Sequence, residues 1–180
     1  MADVTAPDST ALIVGAGSGL SASLARKCAA AGMRVALAAR DPGKLKALEK
    51  ETGARSYACD ASDALQVNEL FSTMEKDFGT PQLVVYNPSY RVRGPFASLD
   101  PTEVRKTLLV TAYGGFLVAQ AALKGMVARA SGSLFFTGAS ASVKGYAESA
   151  PFAMGSSPCA RWRRAWRARW GRKASTSRTS

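Results

Sequence analysis

The chain contains no histidine, and its cysteines are few. Without histidine it forms neither a Ser-His-Asp triad nor a Cys-His pair nor a histidine-ligated metal site, which excludes most hydrolase chemistry. Cys28, Cys59 and Cys159 are widely spaced, so they indicate neither a disulfide framework nor a zinc site. We therefore expect structural thiols in a cytoplasmic protein that holds no metal.

Long apolar runs are also missing. The N-terminal residues 1–10 carry two aspartates and lack the basic and apolar regions of a secretory signal. The longest apolar stretch, residues 108–123, is interrupted by Thr111, two glycines and Gln120, and falls short of a membrane span. We expect no membrane partner and no specific nucleic-acid partner.

Positive charge is concentrated at the C-terminal end. The formal net charge is +11, yet residues 1–158 hold 16 of the 24 bases and all 13 acids, while residues 159–180 hold eight bases and no acid. The three tryptophans of the chain, Trp162, Trp166 and Trp170, are four residues apart in the same segment. Taken at face value, this pattern suits a helix that binds an anionic membrane surface or nucleic-acid phosphates.

Strand-like and helix-like segments alternate along the chain, and 180 residues fit one domain. The predicted strands are residues 10–16, 34–39, 55–59, 82–86 and 133–137. The predicted helices are residues 20–31, a segment ending near 52, 63–78 and a long helix from Asp100 to about Ala130. Parallel neighbours need right-handed crossovers, so the predicted fold class is α/β: a Rossmann-like, doubly wound parallel sheet, truncated after about five strands.

The turn between the first strand and the first helix is rich in glycine. Gly15, Gly17, Ser18, Gly19 and Leu20 follow the strand directly. Glycines let the backbone turn sharply and approach a pyrophosphate, which then binds the free amides at the positive end of the helix. In this context the turn predicts dinucleotide binding.

Arg40 ends the second predicted strand, where it bears on the choice of cofactor. An aspartate there accepts hydrogen bonds from the ribose hydroxyls of NAD, whereas an arginine pairs with the 2′-phosphate of NADP. NADP is therefore favoured over NAD, although Asp41 is placed to neutralise Arg40 in part.

Over residues 8–155 the sequence resembles the short-chain dehydrogenase/reductase family. Gly15 and Gly19 match the glycines of its first turn, where Ser21 replaces the last glycine. Asp60 matches the aspartate that contacts adenine, and Asn87 opens a segment similar to the family's N-A-G. The resemblance implies an NAD(P)-dependent oxidoreductase that acts on a small-molecule carbonyl compound or secondary alcohol.

The catalytic positions implied by this resemblance are mostly occupied by other residues. The tyrosine that exchanges the proton corresponds to Phe152, its supporting lysine to Ser156, and the asparagine of the long helix to Thr111. The serine that holds the substrate oxygen falls on Ala139, with Ser140 beside it as the remaining candidate. Since a phenyl ring has no proton to give, we expect this chain to be inactive. Tyr146 is the nearest other phenol, but Ala150 stands where its lysine would be.

Residues 156–180 depart from the resemblance. With suitable codons, a reading frame displaced by one base at Gly155 encodes a family-like helix, with a lysine four residues after Phe152. On this interpretation residues 1–155 are a partial nucleotide-binding domain and residues 156–180 a non-native basic tail. The fifth strand is then an uncovered edge, and the native homo-oligomer interface is lost. A non-catalytic dinucleotide-binding protein is the alternative, and a basic-tail membrane or nucleic-acid binder is a third possibility.

Overall fold

The computed structural model describes residues 9–140 and 144–156. These residues form two compact units. The described part of the first unit comprises residues 9–89 and 113–137, and that of the second comprises residues 90–112 and 138–156. The interpretation of the basic tail therefore concerns residues that lie outside the described ones, apart from Ser156.

Within the described residues, the first unit is built on a five-stranded parallel sheet with the order β3-β2-β1-β4-β5. The strands are β1 Thr10–Val14, β2 Arg34–Ala39, β3 Arg55–Ala58, β4 Leu83–Tyr86 and β5 Ser133–Phe136. This arrangement confirms the predicted fold class. The strand order reverses between β1 and β4, and such a reversal opens a crevice at the carboxyl ends of the strands.

Alternate side chains of β1 enter two separate cores. The helices are α1 Leu20–Ala30, α2 Lys46–Thr52, α3 Ala64–Phe78, α4 Pro101–Leu108 and α5 Gly114–Ala128. Leu12 and Val14 pack with buried residues of α3 and α5, whereas Ala11 and Ile13 pack with buried residues of α1 and α2. Helices therefore cover both faces of the sheet, which explains why its strands are apolar runs without polar alternation.

Capping residues set several helix boundaries. The Asp63 carboxylate accepts hydrogen bonds from the amides of Leu65 and Gln66 at the start of α3, and Asp100 accepts one from Thr102 at the start of α4. After α1 the chain reverses at Gly32, whose φ of +78° favours glycine. These local signals explain why the predicted boundaries lie close to the observed ones.

The long helix predicted from Asp100 to about Ala130 is interrupted. A π-helical turn, Leu109–Tyr113, separates α4 from α5. Directly after it, Gly114 packs so closely that an added Cβ would lie 2.5 Å from the Tyr86 hydroxyl and 2.6 Å from the Ala61 carbonyl oxygen. The glycine permits this approach, which the helical periodicity of the sequence does not reveal.

The run Pro101–Ala128 is long and apolar enough to span a bilayer by length and composition alone. Four residues of α5 are nevertheless buried in the core beside α3: Leu117, Val118, Ala122 and Met126. This packing is that of a core helix, and it is consistent with a soluble protein.

Strand β5 forms one edge of the described sheet, as expected. Phe135 on this strand is 53% exposed, while Phe136 packs against the Tyr86 ring at a centroid separation of 5.9 Å. The edge therefore presents apolar surface together with unpaired backbone groups.

Candidate functional site

The turn after β1 is held by backbone hydrogen bonds and by a close approach to the loop after β4. The amides of Gly15 and Ala16 both donate to the Ala38 carbonyl oxygen, each at 2.9 Å. Gly15 has a φ of +79°, and an added Cβ would lie 2.6 Å from the backbone nitrogen of Pro88. Glycine is therefore required at position 15 by both the backbone conformation and the neighbouring loop.

Ser21 links three parts of this site. Its hydroxyl donates to the Gly15 carbonyl oxygen at 3.0 Å and accepts a hydrogen bond from the Asn87 side-chain amide at 2.7 Å. The Asn87 backbone amide also donates to the Val14 carbonyl oxygen at 2.9 Å. In the sequence, Ser21 is only a departure from the family pattern, and its hydrogen bonds to Gly15 and Asn87 were not predicted. No local signal pairs two residues that are 66 positions apart.

The N-terminus of α1 is open. Gly19 caps the helix without a side-chain hydrogen bond, and the first turn contains no acidic residue. Ser18, Gly19 and Leu20 are exposed, and an added Cβ on Gly17 would meet nothing within 4 Å. The first amides of a helix lack intrahelical acceptors and carry a partial positive charge, so this end has room and donors for a phosphate group.

Arg40 lies exposed immediately after β2, at the same carboxyl-terminal edge of the sheet as the turn after β1. The neighbouring Asp41 carboxylate accepts the Gly43 amide at 3.1 Å and lies 3.4 Å from the Lys44 ammonium group. Asp41 is therefore engaged with the short 3-10 helix that follows it.

Asp60 follows β3 at the same edge of the sheet. One of its carboxylate oxygens accepts both the amide and the hydroxyl of Ser62, and its own amide donates to the Gln66 side chain. These bonds fix the orientation of the carboxylate. The adjacent Cys59 is buried, and this burial, reinforced by the charges of Asp60 and Asp63, raises the pKa of its thiol to about 11. Cys59 is thus an unreactive core thiol, as expected.

The residues predicted to correspond to the family's catalytic positions lie in the second unit. Phe152 and Ser156 are both 6% exposed, on a helical segment of residues 150–156. The Ser156 hydroxyl donates to the Phe152 carbonyl oxygen at 2.7 Å, a bond within the helix that leaves Ser156 no lysine-like role.

The structure brings Thr111 beside this helical segment. Thr111 is 6% exposed in the π-helical turn, and an added Cβ on Gly155 would lie 3.1 Å from the Thr111 Cβ. Ser140 and Tyr146 are exposed, and the residue four positions after Tyr146 is Ala150. The described residues therefore contain no tyrosine–lysine pair at these positions.

Two arrangements near these positions were not predicted from the sequence. The Tyr90 hydroxyl donates to a carboxylate oxygen of Glu103 at 2.5 Å, and the Lys106 ammonium group lies 3.2 Å from the same hydroxyl. The Arg91 guanidinium lies over the Phe152 ring, 4.5 Å from its centroid. The spacing of Glu103 and Lys106 on α4 is a signal for an ion pair, but nothing in the sequence indicates the aromatic partners.

A family model and several known proteins are similar in sequence to this chain. The family model described as short chain dehydrogenase matches residues 9–159. The D-threitol dehydrogenase of Mycolicibacterium smegmatis is 29% identical over 129 residues, which is 69% of this chain and 50% of that protein. The 2,3-dihydro-2,3-dihydroxybenzoate dehydrogenase of Bacillus subtilis is 28% identical over 136 residues, 73% of this chain and 52% of that protein. The chain thus spans about half the length of these curated relatives.

Solved structures of dehydrogenases and reductases are similar in fold to this chain. A metagenomic short-chain oxidoreductase in complex with NADP superposes with a TM-score of 0.82 and 26% identity, covering 86% of this chain and 73% of that one. Levodione reductase superposes with a TM-score of 0.87 and 25% identity, covering 92% of this chain and 67% of that one.

Proposed function

Because the chain belongs to the short-chain dehydrogenase family, we propose that it binds a nicotinamide dinucleotide through the turn after β1. The observation that carries this proposal is the open, uncapped N-terminus of α1 beside Gly17, where a pyrophosphate finds both space and amide donors. Asp60 and Asn87 lie at the same edge of the sheet and complete the set of residues that we assign to the nucleotide.

We propose NADP rather than NAD as the preferred nucleotide. Arg40 is exposed where the ribose 2′-phosphate would lie, and Asp41 is held by Gly43 and Lys44. A guanidinium binds a phosphate through two parallel hydrogen bonds, which NAD does not offer. Two similar solved structures, the metagenomic oxidoreductase and a polyketide ketoreductase, are complexes with NADP and NADPH respectively.

The reaction that we assign by descent is oxidoreduction of a small carbonyl compound or secondary alcohol. A bound nicotinamide supplies or accepts the hydride, and the protein must hold the reacting oxygen and move its proton. Phe152 has no proton to exchange, Ser156 is bonded to the Phe152 carbonyl oxygen, and Ser140, beside Ala139, is the hydroxyl that we assign to the substrate oxygen. We therefore propose nucleotide binding with little or no turnover, in a cytoplasmic protein.

A fluorescence titration with NADPH and NADH tests the binding proposal. A charge-assisted hydrogen bond contributes about 1.5–3 kcal/mol, so Arg40→Ala should weaken NADPH binding about 10-fold to 100-fold. It should change NADH binding less than about 3-fold, since NADH lacks the 2′-phosphate. Lys50→Ala is the matched control, because it removes an exposed positive charge from α2. If Arg40→Ala and Lys50→Ala weaken NADPH binding equally, Arg40 makes no specific contact with the phosphate. If the unmodified chain binds neither NADPH nor NADH, the proposal is overturned.

A double variant distinguishes an oxidoreductase that has lost its proton donor from a protein that only binds the nucleotide. The double variant Phe152→Tyr with Ser156→Lys restores the tyrosine and the lysine four residues apart. If the site descends from an oxidoreductase, this variant should reduce test ketones with NADPH faster than the unmodified chain. Saturable nucleotide binding without any gain in turnover supports the non-catalytic alternative.

A further inference from the structure

The loop that carries Arg91 is anchored on both sides. Before it, the Tyr90 amide donates to the Thr111 hydroxyl at 3.4 Å, and the Tyr90 hydroxyl is bonded to Glu103. After it, the Gly94 amide donates to the Glu148 carbonyl oxygen at 3.2 Å. Arg91 therefore extends from a segment that is fixed at two points, which reduces the entropy lost when its side chain binds a ligand.

The Arg91 guanidinium is oriented by Phe152 and has no carboxylate partner among the described residues. The cations of the ion pairs among the described residues are Arg26, Lys44, Arg55 and Lys106. The second unit has three described acids, Asp100, Glu103 and Glu148, and none of them forms an ion pair with Arg91. Asp100 caps α4, and Glu103 bonds Tyr90. The exposed guanidinium of Arg91 therefore keeps its charge available to a ligand.

The Arg91 guanidinium lies over the Phe152 ring, 4.5 Å from its centroid, in a cation–π contact. This contact engages no carboxylate, so the N–H donors of Arg91 remain available to the two oxygens of a carboxylate ligand. The ring that holds Arg91 belongs to Phe152, which occupies the position of the family's proton donor. An anion bound by Arg91 would therefore lie beside the reacting carbonyl group.

We propose that Arg91 is a specificity-determining residue that binds the carboxylate of a 2-oxo acid or the corresponding 2-hydroxy acid. This proposal rests on the proposed function, because that function locates the reacting carbonyl at Phe152. A carboxylate attached directly to the carbonyl carbon fits the short separation between the guanidinium and the ring. A neutral ketone leaves the Arg91 donors without an anionic acceptor.

Binding of benzoylformate and of methyl benzoylformate tests this assignment, because the two probes share a ketone and differ in negative charge. Calorimetric titrations are performed with the full chain, in the presence and absence of NADP⁺, which does not react with a ketone. We expect the unmodified chain to bind benzoylformate at least about 10-fold more tightly than its methyl ester, the range of a charge-assisted hydrogen bond. Arg91→Gln should reduce this preference to less than about 2-fold.

Arg93→Gln is the matched control, since Arg93 is exposed on the same loop and the substitution makes the same charge change. It should keep the preference for benzoylformate. If the unmodified chain binds the two probes equally tightly, the proposal is overturned. It is also overturned if Arg91→Gln and Arg93→Gln reduce the preference for benzoylformate equally, because the overall positive charge of the loop then explains the binding.

NADPH titration of the same preparations separates this proposal from the function on which it rests. If benzoylformate binding depends on Arg91 while NADPH does not bind, the anion site stands and the proposed function fails. If NADPH binds while neither probe is preferred, the nucleotide-binding proposal stands and the role of Arg91 fails. Thermal melts should show that both arginine variants fold: Arg93→Gln should match the unmodified chain, and Arg91→Gln should lose only the ~0.5–1 kcal/mol of an exposed cation–π contact.

Discussion

Replacing Gly15 by alanine tests whether the turn after β1 depends on its close approach to the loop after β4. The added Cβ would lie 2.6 Å from the Pro88 nitrogen and 2.7 Å from its Cδ, and these atoms belong to the backbone and a rigid ring. The left-handed φ of +79° costs an L-residue about 1–2 kcal/mol, and overpacking of this kind costs a further ~1–3 kcal/mol. We therefore expect Gly15→Ala to lower the free energy of unfolding by about 2–5 kcal/mol, a large part of the ~5–15 kcal/mol of an ordinary domain.

Gly32→Ala is the matched control for this prediction. Gly32 has nearly the same φ, +78°, but an added Cβ would meet nothing within 4 Å. Gly32→Ala should therefore lower the free energy of unfolding only by the backbone contribution, about 1–2 kcal/mol. Urea unfolding followed by far-ultraviolet circular dichroism measures both variants, with an unchanged m-value required for the comparison. Equal losses in the two variants would refute the reasoning, because Pro88 would then contribute nothing.

Two further predictions concern pH and salt. Cys59 loses its proton at pH about 9 when unfolded and about 11 when folded, so above pH 9 the unfolded state binds fewer protons and stability falls as pH rises towards 11. Cys59→Ala should flatten this part of a urea-unfolding series, and an unchanged slope would contradict the assignment. The full chain should be retained on heparin and elute at moderate salt, because residues 159–180 carry eight bases and no acid. A chain ending at residue 156 should elute earlier, and equal retention would show that the basic tail does not govern polyanion binding.

Much of the sheet was predictable because its strands are short apolar runs with polar or glycine boundaries. Strand β2 was predicted with its observed bounds, Arg34–Ala39, and β1 differs only in ending at Val14. Parallel strands joined by helices leave few possible arrangements, so the order of elements also predicted the fold class. The π-helical turn was not predictable, because the packing of Gly114 against Tyr86 and Ala61 depends on parts of the chain far away in sequence.

The part of the candidate site that lies within one short segment was predictable from the sequence. The turn from Gly15 to Gly19 needs only its place between a strand and a helix to indicate phosphate binding. The bond between Asn87 and Ser21, and the stacking of Arg91 on Phe152, join residues more than 60 positions apart. Such pairs follow from tertiary structure, and local sequence patterns contain no information about them.

The interpretation of Phe152 as a replacement of the family's tyrosine is compatible with the packing of this position. The position is 6% exposed, so a tyrosine there would need a partner for its hydroxyl, whereas phenylalanine is buried without that requirement. The ring also stacks with the Arg91 guanidinium, a favourable contact that does not need a hydroxyl. Packing alone therefore favours phenylalanine at this position, and the proposed loss of the proton donor needs no compensation elsewhere in the fold.

Gly15 and Gly17, two of the three glycines in the first turn, differ in how strongly they support the proposed nucleotide binding. Gly15 is required by a positive φ and by its approach to Pro88, so folding alone explains why it is glycine. Gly17 has neither a positive φ nor any neighbour within 4 Å of an added Cβ, so folding gives no reason for a glycine there. A ligand that approaches the backbone closely does give such a reason, since a methyl group would occupy the space of the pyrophosphate. The empty space around Gly17 therefore supports the proposed nucleotide site more strongly than the constrained Gly15 does.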